Sequence, residues 1–243
     1  MSDLAGRHVV VIGGGSGMGC ATAARALADG ARVTIAGRTK AKLDAASEML
    51  GSQHVQARVA DMTDDAAVRK FAAGFHDKPV DALVVSASSV VHGSFGETPT
   101  DRIRAMVESK FLGPYVIARE MMSHMVDGGS ITFFSGVLSR KPGSAAAGLA
   151  AVNAAVEGLT RALAKELAPR LRVNCISPGM TDTDAYAAMA PARREAMFRD
   201  AAKSLPLGRI GTPDDIARAV IFAMTNPFLT GHVLDVDGGH LVA

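Results

Sequence analysis

A glycine-rich turn near the start of the chain limits its possible folds more than any other feature. The run Gly13-Gly14-Gly15-Ser16-Gly17-Met18-Gly19 follows a predicted strand, His8–Ile12, and opens a predicted helix, Met18–Ala28. Without β-carbons the backbone can turn tightly and approach a pyrophosphate, and the helix start offers free N–H groups and the positive end of its dipole. The spacing is Gly-x-x-x-Gly-x-Gly, which differs from the general Gly-x-Gly-x-x-Gly fingerprint. We predict a dinucleotide-binding turn, and an ordinary glycine-rich turn is the alternative.

Short β-branched runs alternate with longer Ala- and Leu-rich stretches along the whole chain. The short runs are apolar on both faces, as expected for strands that helices cover on each side. The predicted strands are His8–Ile12, Arg32–Ala36, His54–Val59, Ala82–Ser86, Ser130–Phe134, Arg172–Ile176 and His232–Val236. The predicted helices are Met18–Ala28, Lys40–Leu50, Asp64–Phe75, Asp101–Met125, Gly148–Leu167 and Pro213–Met224. This alternation predicts a single α/β domain over residues 1–243, with one doubly wound sheet of seven parallel strands and helices on both faces.

Composition excludes several function classes. The apolar fraction of 48% lies in short runs, none near the ~20 residues that span a bilayer, so we expect no membrane segment. The segment 1–6 lacks the basic start and apolar stretch of a secretory signal. Two cysteines, Cys20 and Cys175, are too few for a disulfide framework, which fits the cytoplasm. The net charge of +2 does not suggest binding to nucleic acid or to an anionic membrane.

The residues after the second predicted strand indicate which dinucleotide the chain prefers. An NAD site would place an acidic residue here for the ribose 2′-hydroxyl, and none occurs before Asp44. Arg38 can instead form a bidentate pair with a 2′-phosphate. We therefore favour NADP(H) over NAD(H), and the alternative is that Arg38 is a solvated side chain beside a helix start.

Further motifs follow in a fixed order: Asp61-Met62-Thr63, Ser177-Pro178-Gly179, the run from Leu207 to Pro213, and the run from Gly231 to Gly239. Together with the glycine turn they resemble the short-chain dehydrogenase/reductase family over essentially the whole chain. The resemblance implies a Rossmann-type fold and assembly into homodimers or homotetramers. It also implies that Asp61-Met62 contacts adenine, that Pro178-Gly179 lies beside the nicotinamide, and that Thr183 meets the cofactor phosphate or carboxamide.

The predicted cofactor-binding set joins these residues to the glycine turn, to Arg38, and to a serine and an alanine after the fourth strand. Its members are Gly13, Gly15, Ser16, Gly17, Met18, Gly19, Arg38, Asp61, Met62, Ser86, Ala87, Pro178, Gly179, Thr181 and Thr183. The match is weakened at two places. Ile12 stands where the family has a threonine before the glycine turn, and the family's Asn-Asn-Ala-Gly is replaced by Val85-Ser86-Ala87-Ser88.

The reaction centre departs more strongly from the family. The family uses an Asn, a Ser, a Tyr and a Lys, and the flanking residues align these positions with Lys110, Gly136, Leu149 and Asn153. Hydride transfer to a carbonyl leaves negative charge on oxygen, so a nearby group must donate a proton or stabilise that charge. Neither Leu149 nor Gly136 can do this through a side chain.

Lys110 stands at the family's Asn position and Asn153 at its Lys position, and this exchange suggests that the active site is rearranged. We hypothesise that Lys110 restores one positive charge to the site from the neighbouring helix; the alternative is a surface lysine at 110 and a drifted residue at Asn153. His92 is the first candidate for the proton donor because imidazole titrates near neutrality, and an exposed loop histidine is the alternative. Ser135 adjoins the vacant serine position but is expected to point away from it, since neighbours on a strand alternate faces.

Lesser candidates for the donor are Ser144 and Tyr186, on segments that could border the pocket, and Tyr115 is expected at an interface or in the core. Residues 182–205 are predicted to form a substrate lid, and the sequence assigns no residue to a metal site. Three functions stay open. The first is an NADP(H)-dependent oxidoreductase that acts on a ketone, alcohol or activated alkene. The second is a catalytically silent NADP(H)-binding protein that serves as a sensor or structural partner, and the third is cofactor-independent chemistry. Cofactor-independent chemistry is disfavoured because it would not need the phosphate turn or Arg38.

Overall fold

The computed structural model describes residues 4–243, so residues 1–3 of the segment considered for a secretory signal lie outside it. Seven strands form one parallel sheet in the order β3-β2-β1-β4-β5-β6-β7. The strands are β1 His8–Ile12, β2 Arg32–Gly37, β3 Val55–Val59, β4 Val80–Val85, β5 Met125–Phe134, β6 Leu171–Pro178 and β7 Val233–Val236. The order reverses direction between β1 and β4, and ligands of doubly wound sheets bind at that point.

Helices cover both faces of this sheet. They are α1 Gly17–Ala28, α2 Lys40–Leu50, α3 Asp65–Ala73, α4 Thr100–Val107, α5 Gly113–Met121, α6 Ala147–Leu167, α7 Pro191–Ser204 and α8 Pro213–Thr225. Residues of α1, α2 and α8 share a buried cluster with one face, and residues of α3, α5 and α6 share a cluster with the other. The predicted doubly wound α/β fold is confirmed.

The central strand β1 shows why this sequence selects two covered faces. All of its residues are buried, with Val9 and Val11 in the α1 cluster and Val10 and Ile12 in the α3 cluster. Side chains alternate between the faces of a strand, so an unbroken apolar run demands apolar cover on both sides. Within the described residues, no helix has both the length and the apolar character needed to cross a bilayer.

The predicted helix Asp101–Met125 is wrong in its boundaries. The chain forms α4, a π-helical turn over Glu108–Leu112 and α5, and Met125 already begins β5. Pro114 at the start of α5 has no N–H to bond the carbonyl of Lys110, which is a cause for the wider turn. The predicted strand Ser130–Phe134 is too short: β5 starts at Met125 and has a bulge before Ser130.

Candidate functional site

A cleft of about 440 Å³ lies over the carboxyl ends of five strands, β1, β2, β3, β4 and β6. Its wall combines the glycine turn, Arg38, Asp61-Met62-Thr63, residues 86–90, and a segment that runs from Gly179 to Tyr186. Every residue of the predicted cofactor set lines it except Pro178. The topology therefore brings together five sequence segments that are far apart along the chain.

Three glycines of the turn, Gly13, Gly14 and Gly19, are packed too closely for a side chain. A β-carbon on Gly13, whose φ is +89°, would lie 2.5 Å from the backbone nitrogen of Ala87. A β-carbon on Gly19 would lie 2.3 Å from the carbonyl oxygen of Gly13. The turn thus keeps the backbone next to the cleft, as binding of a pyrophosphate requires.

The N-terminus of α1 is left open toward this cleft. Ser16 precedes the helix, but its side chain forms no capping hydrogen bond, and residues 16–19 line the cleft. By contrast, Thr212 and Asp215 form a complete capping box at α8. The first N–H groups of a helix have no partner within it, so those of α1 remain available to an anion. The open helix start and the cradle both fit a dinucleotide.

Two cations lie at the rim where β2 ends. Arg38 and Lys42 line the cleft, and neither forms an ion pair within residues 4–243. The nearby acid Asp44 accepts from Lys40 Nζ at 2.7 Å. Asp61 also lines the cleft, but its Oδ1 accepts from the backbone nitrogen and the hydroxyl of Thr63 at 3.0 Å and 2.8 Å. Neither acid pairs with Arg38 or Lys42 among the described residues, so both cations are available to a phosphate.

Lys110 and Asn153 hold the main chain where β5 ends. Lys110 Nζ donates to the carbonyls of Phe134 and Ser135 at 3.4 Å and 3.3 Å. Asn153 Nδ2 donates to the carbonyl of Gly136 at 3.3 Å. Two side chains from different helices thus bind three consecutive carbonyls. Neither side chain lines the cleft.

Lys110 is not a surface lysine, because it is only 5% exposed. Burial lowers its pKa to about 8, since a low-dielectric interior disfavours the charged form. A β-carbon on Gly136 would lie 3.1 Å from Asn153 Nδ2, so the missing side chain makes room for the amide. Asn153 Oδ1 is buried without a hydrogen-bond partner among the described residues.

Ser135 belongs to a buried network that sequence reasoning missed. Its Oγ donates to Glu157 Oε1 at 3.0 Å, and Ser139 Oγ donates to the same oxygen at 2.6 Å. Arg140 lies 3.7 Å from that oxygen, pairs with Asp235, and donates to Ser177. A glutamate on the apolar face of α6 was the available signal. Its partners could not be inferred because they come from separate segments.

The structure places most of the remaining candidate residues outside the cleft. His92 and Ser144 are exposed in loops and do not line the cleft. Leu149 is 5% exposed and packs with Met106 and Val152 in an apolar cluster. Tyr115 is not in the core, since it is 42% exposed on α5.

Tyr186 is the donor candidate that lines the cleft. Its ring meets Phe198 of α7 edge to face, with centroids 5.2 Å apart. Both rings belong to the predicted lid, so this region contributes to the cleft wall through Tyr186. Burial, followed by the nearby charge of Asp182, raises the pKa of the Tyr186 phenol. The cleft also contains residues that the sequence prediction omitted, namely Thr39, Lys42, Ser88, Ser89, Val90 and Ser109.

Comparison with known proteins gives matches over nearly the whole chain. A family model described as enoyl-(acyl carrier protein) reductase matches residues 13–240. A short-chain dehydrogenase/reductase of Stachybotrys chlorohalonatus is 30% identical and covers 98% of both chains. A 3-oxoacyl-[acyl-carrier-protein] reductase of Rattus norvegicus is 32% identical over 94% of this chain and 95% of its own.

Two solved structures show the same architecture. A small-chain dehydrogenase in complex with NADPH has a TM-score of 0.81 and 34% identity, covering 98% of this chain and 100% of its own. The MalC reductase/Diels-Alderase of Malbranchea aurantiaca has a TM-score of 0.92 and 28% identity, covering 100% of this chain and 99% of its own.

Proposed function

Since the chain belongs to the short-chain dehydrogenase/reductase family, we propose that it is an NADP(H)-dependent oxidoreductase with a rearranged active site. The observation that carries this proposal is the cleft itself. Its glycine turn has no room for a β-carbon at Gly13, Gly14 or Gly19. The start of α1 faces the cleft without a side-chain cap, and Arg38 and Lys42 at its rim form no ion pair within the described part of the chain.

Different cleft residues would bind different parts of the cofactor. The glycine turn and the N–H groups of α1 would bind the pyrophosphate, and Arg38 and Lys42 would bind the 2′-phosphate. Asp61 and Met62 would border the adenine, while Gly179, Thr181 and Thr183 would border the nicotinamide end. A relative of known structure is described as a complex with NADPH, which supports a nicotinamide cofactor. When bound, the reduced nicotinamide supplies a hydride.

The substrate would be a small ketone, its alcohol, or an activated alkene. A relative named as a 3-oxoacyl-[acyl-carrier-protein] reductase supports a ketone. The matching family model, named for an enoyl-(acyl carrier protein) reductase, supports an activated alkene. We propose residues 182–205, which include α7, as the lid over the substrate. The four residues first considered for catalysis, Lys110, Asn153, His92 and Ser135, do not line the cleft. We propose that Lys110 and Asn153 act by positioning the turn that follows β5.

Cell location and assembly are further parts of the proposal. Cys20 and Cys175 are unpaired and buried, which is compatible with a reducing cytoplasm. Leu112, Tyr115 and Met122 are partly exposed apolar side chains around α5. Such a surface supports pairing of this helix with a second copy in a homodimer or homotetramer.

A second candidate is a catalytically silent NADP(H)-binding protein, acting as a sensor or as a structural partner. The observation that favours it is the apolar cluster around Leu149, where the family's tyrosine would stand. A leucine packed against Met106 and Val152 can neither donate a proton nor bind a substrate oxygen. This candidate shares the cofactor cleft with the first and differs only in turnover.

Calorimetry with NADPH and NADH tests the shared claim. We expect NADPH to bind more tightly than NADH, and Arg38→Ala to weaken NADPH binding by roughly 10- to 100-fold, the loss of one charge-assisted pair. NADH binding should change little. Arg69→Ala, at an exposed position of α3 outside the cleft, is the matched control. The absence of heat with either nucleotide at millimolar concentration would contradict both candidates.

Turnover then separates the two candidates. The wild-type chain is mixed with NADPH and a panel of ketones and enones while the cofactor fluorescence is followed. Consumption of NADPH that depends on substrate supports the oxidoreductase. Tight NADPH binding without consumption across the panel supports the silent protein.

A further inference from the structure

We propose that Tyr186 is the catalytic residue that donates the proton to the substrate oxygen, a role that rests on the proposed oxidoreductase function. Its side chain lines the same cleft as Gly13, Gly17 and Thr183. It belongs to the proposed lid, in the turn Asp184–Tyr186, whereas Leu149 lies on α6.

The other O–H groups of the cleft are less suited to this role. Serine and threonine hydroxyls are much weaker acids than a phenol, whose usual pKa is about 10. Several of them are also already engaged: Ser86 Oγ donates to the carbonyl of Ile12, and Thr181 Oγ1 donates to that of Gly179, each at 3.1 Å. Ser109 Oγ lies 3.3 Å from the carbonyls of Ser89 and Met106. Tyr186 is therefore the most acidic hydroxyl in the described cleft wall.

The phenol is held at a defined place beside the predicted cofactor contact Thr183. Tyr186 ends a 3₁₀ turn, Asp184–Tyr186, in which its backbone nitrogen donates to the carbonyl of Thr183 at 3.2 Å. Its ring packs edge to face on Phe198, and the guanidinium of Arg194 lies 5.4 Å from the Phe198 ring centre. Arg194 in turn pairs with Asp182. These contacts fix the ring without using its hydroxyl, for which the described residues provide no hydrogen-bond partner.

The proton and electron balance of the step is complete with groups already named. In the direction of reduction, a nicotinamide held beside Gly179, Thr181 and Thr183 would supply the hydride to the carbonyl carbon. The carbonyl would be reduced, and its π electron pair would move to oxygen. The O–H bond of Tyr186 breaks, and a new O–H bond forms on the substrate. Water then returns a proton to the phenolate, which is possible because Tyr186 is only partly buried. The raised pKa of the Tyr186 phenol makes it a weaker acid than an ordinary tyrosine, so transfer of its proton depends on the negative charge that develops on the substrate oxygen.

The chain provides a matched pair of variants, because its two tyrosines are Tyr186 and Tyr115. Tyr186→Phe keeps the ring on Phe198 and removes only the hydroxyl. We expect it to lower kcat for carbonyl reduction by roughly 10²- to 10⁴-fold, the usual contribution of a general acid, with the Kd for NADPH changed by less than about threefold. Tyr115→Phe, on the exposed face of α5 outside the cleft, should leave kcat unchanged.

A second measurement does not depend on turnover. The sequence contains no tryptophan, so Tyr115→Phe leaves Tyr186 as the single tyrosine, and its ionisation can be followed by phenolate absorbance. We expect NADPH to move this titration to higher pH, because a bound anionic cofactor displaces water from beside the phenol and disfavours its charged form.

The outcomes separate the two proposals. No NADPH binding by the wild-type chain overturns the proposed function. NADPH binding with an unmoved Tyr186 titration, or undiminished turnover in Tyr186→Phe, overturns the donor role and leaves cofactor binding intact. A wild-type chain that binds NADPH but reduces no substrate in the panel also overturns the donor role.

Discussion

We call the cleft lining that we propose to hold the cofactor the cofactor wall. The cofactor wall and the proposed reaction centre both lie at the carboxyl ends of the strands, yet different chemical groups form them. The cofactor wall depends on main-chain groups: a glycine cradle and the uncapped start of α1. The reaction-centre positions, Lys110, Gly136, Leu149 and Asn153, are defined in the family by side chains. The first region has the main-chain architecture that a dinucleotide site needs. In the alignment that we propose, all four positions of the second region carry residues other than those of the family.

Under the proposed alignment, the difference teaches that side chains of a reaction centre can be replaced while the packing around them stays intact. Leu149 fills apolar space, and Lys110 and Asn153 bind three consecutive carbonyls. Gly136 leaves room for the Asn153 amide. The replacements are therefore compatible with one another, because each satisfies the space or the hydrogen bonds left by its neighbours.

The largest expected effect comes from closing the cradle with Gly19→Ala. The added β-carbon would lie 2.3 Å from the carbonyl oxygen of Gly13 and 2.5 Å from Ser86 Oγ. Backbone cannot yield at these distances without opening the turn, so NADPH affinity should fall by at least about 100-fold, or about 3 kcal/mol. Calorimetry measures the affinity, and thermal unfolding reports whether the variant still folds.

Gly158→Ala is the matched control, because a β-carbon at this position of α6 would meet no atom within 4 Å. It should keep NADPH affinity and gain about 0.5–1 kcal/mol of stability, since alanine is the better helix former. If Gly19→Ala bound NADPH within about threefold of wild type, the cradle would not be what distinguishes the two regions.

The next largest effect concerns Lys110 in the reaction centre and appears in stability. Its pKa is about 8 in the folded chain, below the usual 10.5, so between these pH values the unfolded chain binds a proton that the folded chain does not. The free energy of unfolding should therefore rise with pH over this window. Relative to Lys110→Met, the wild-type chain should gain about 3 kcal/mol from pH 8 to pH 10.5.

Urea denaturation at a series of pH values measures this difference. Lys165→Met, at an exposed position of α6, controls for removing a positive charge. A stability difference between wild type and Lys110→Met that stayed flat across the window would mean that the ammonium is solvated and not buried. Unchanged cofactor-dependent turnover in Lys110→Met would end any catalytic role for this lysine.

The residues that line the cleft could be predicted from the sequence better than the contacts of the reaction-centre positions, because the first depend on a local pattern and the second on distant residues. A glycine turn between a buried strand and a helix is local, so Gly13 to Gly19 indicated both the fold and the site. The burial of Lys110 depends on a π-helical turn and on carbonyls more than twenty positions away. The Glu157 network joins residues 18 to 95 positions apart, and no spacing rule indicates such pairs.

The smallest expected effect compares the starts of α1 and α8. Thr212 Oγ1 accepts from the backbone nitrogen of Asp215 at 3.2 Å, so Thr212→Ala should cost about 1 kcal/mol of stability. The Ser16 side chain caps nothing, so Ser16→Ala should change the stability of the cofactor-free chain by no more than about 0.3 kcal/mol. Urea denaturation of both variants without nucleotide measures the contrast. An equal loss in the two variants would show that Ser16 closes the helix start in solution, and the N–H groups of α1 would then not stand open for a phosphate.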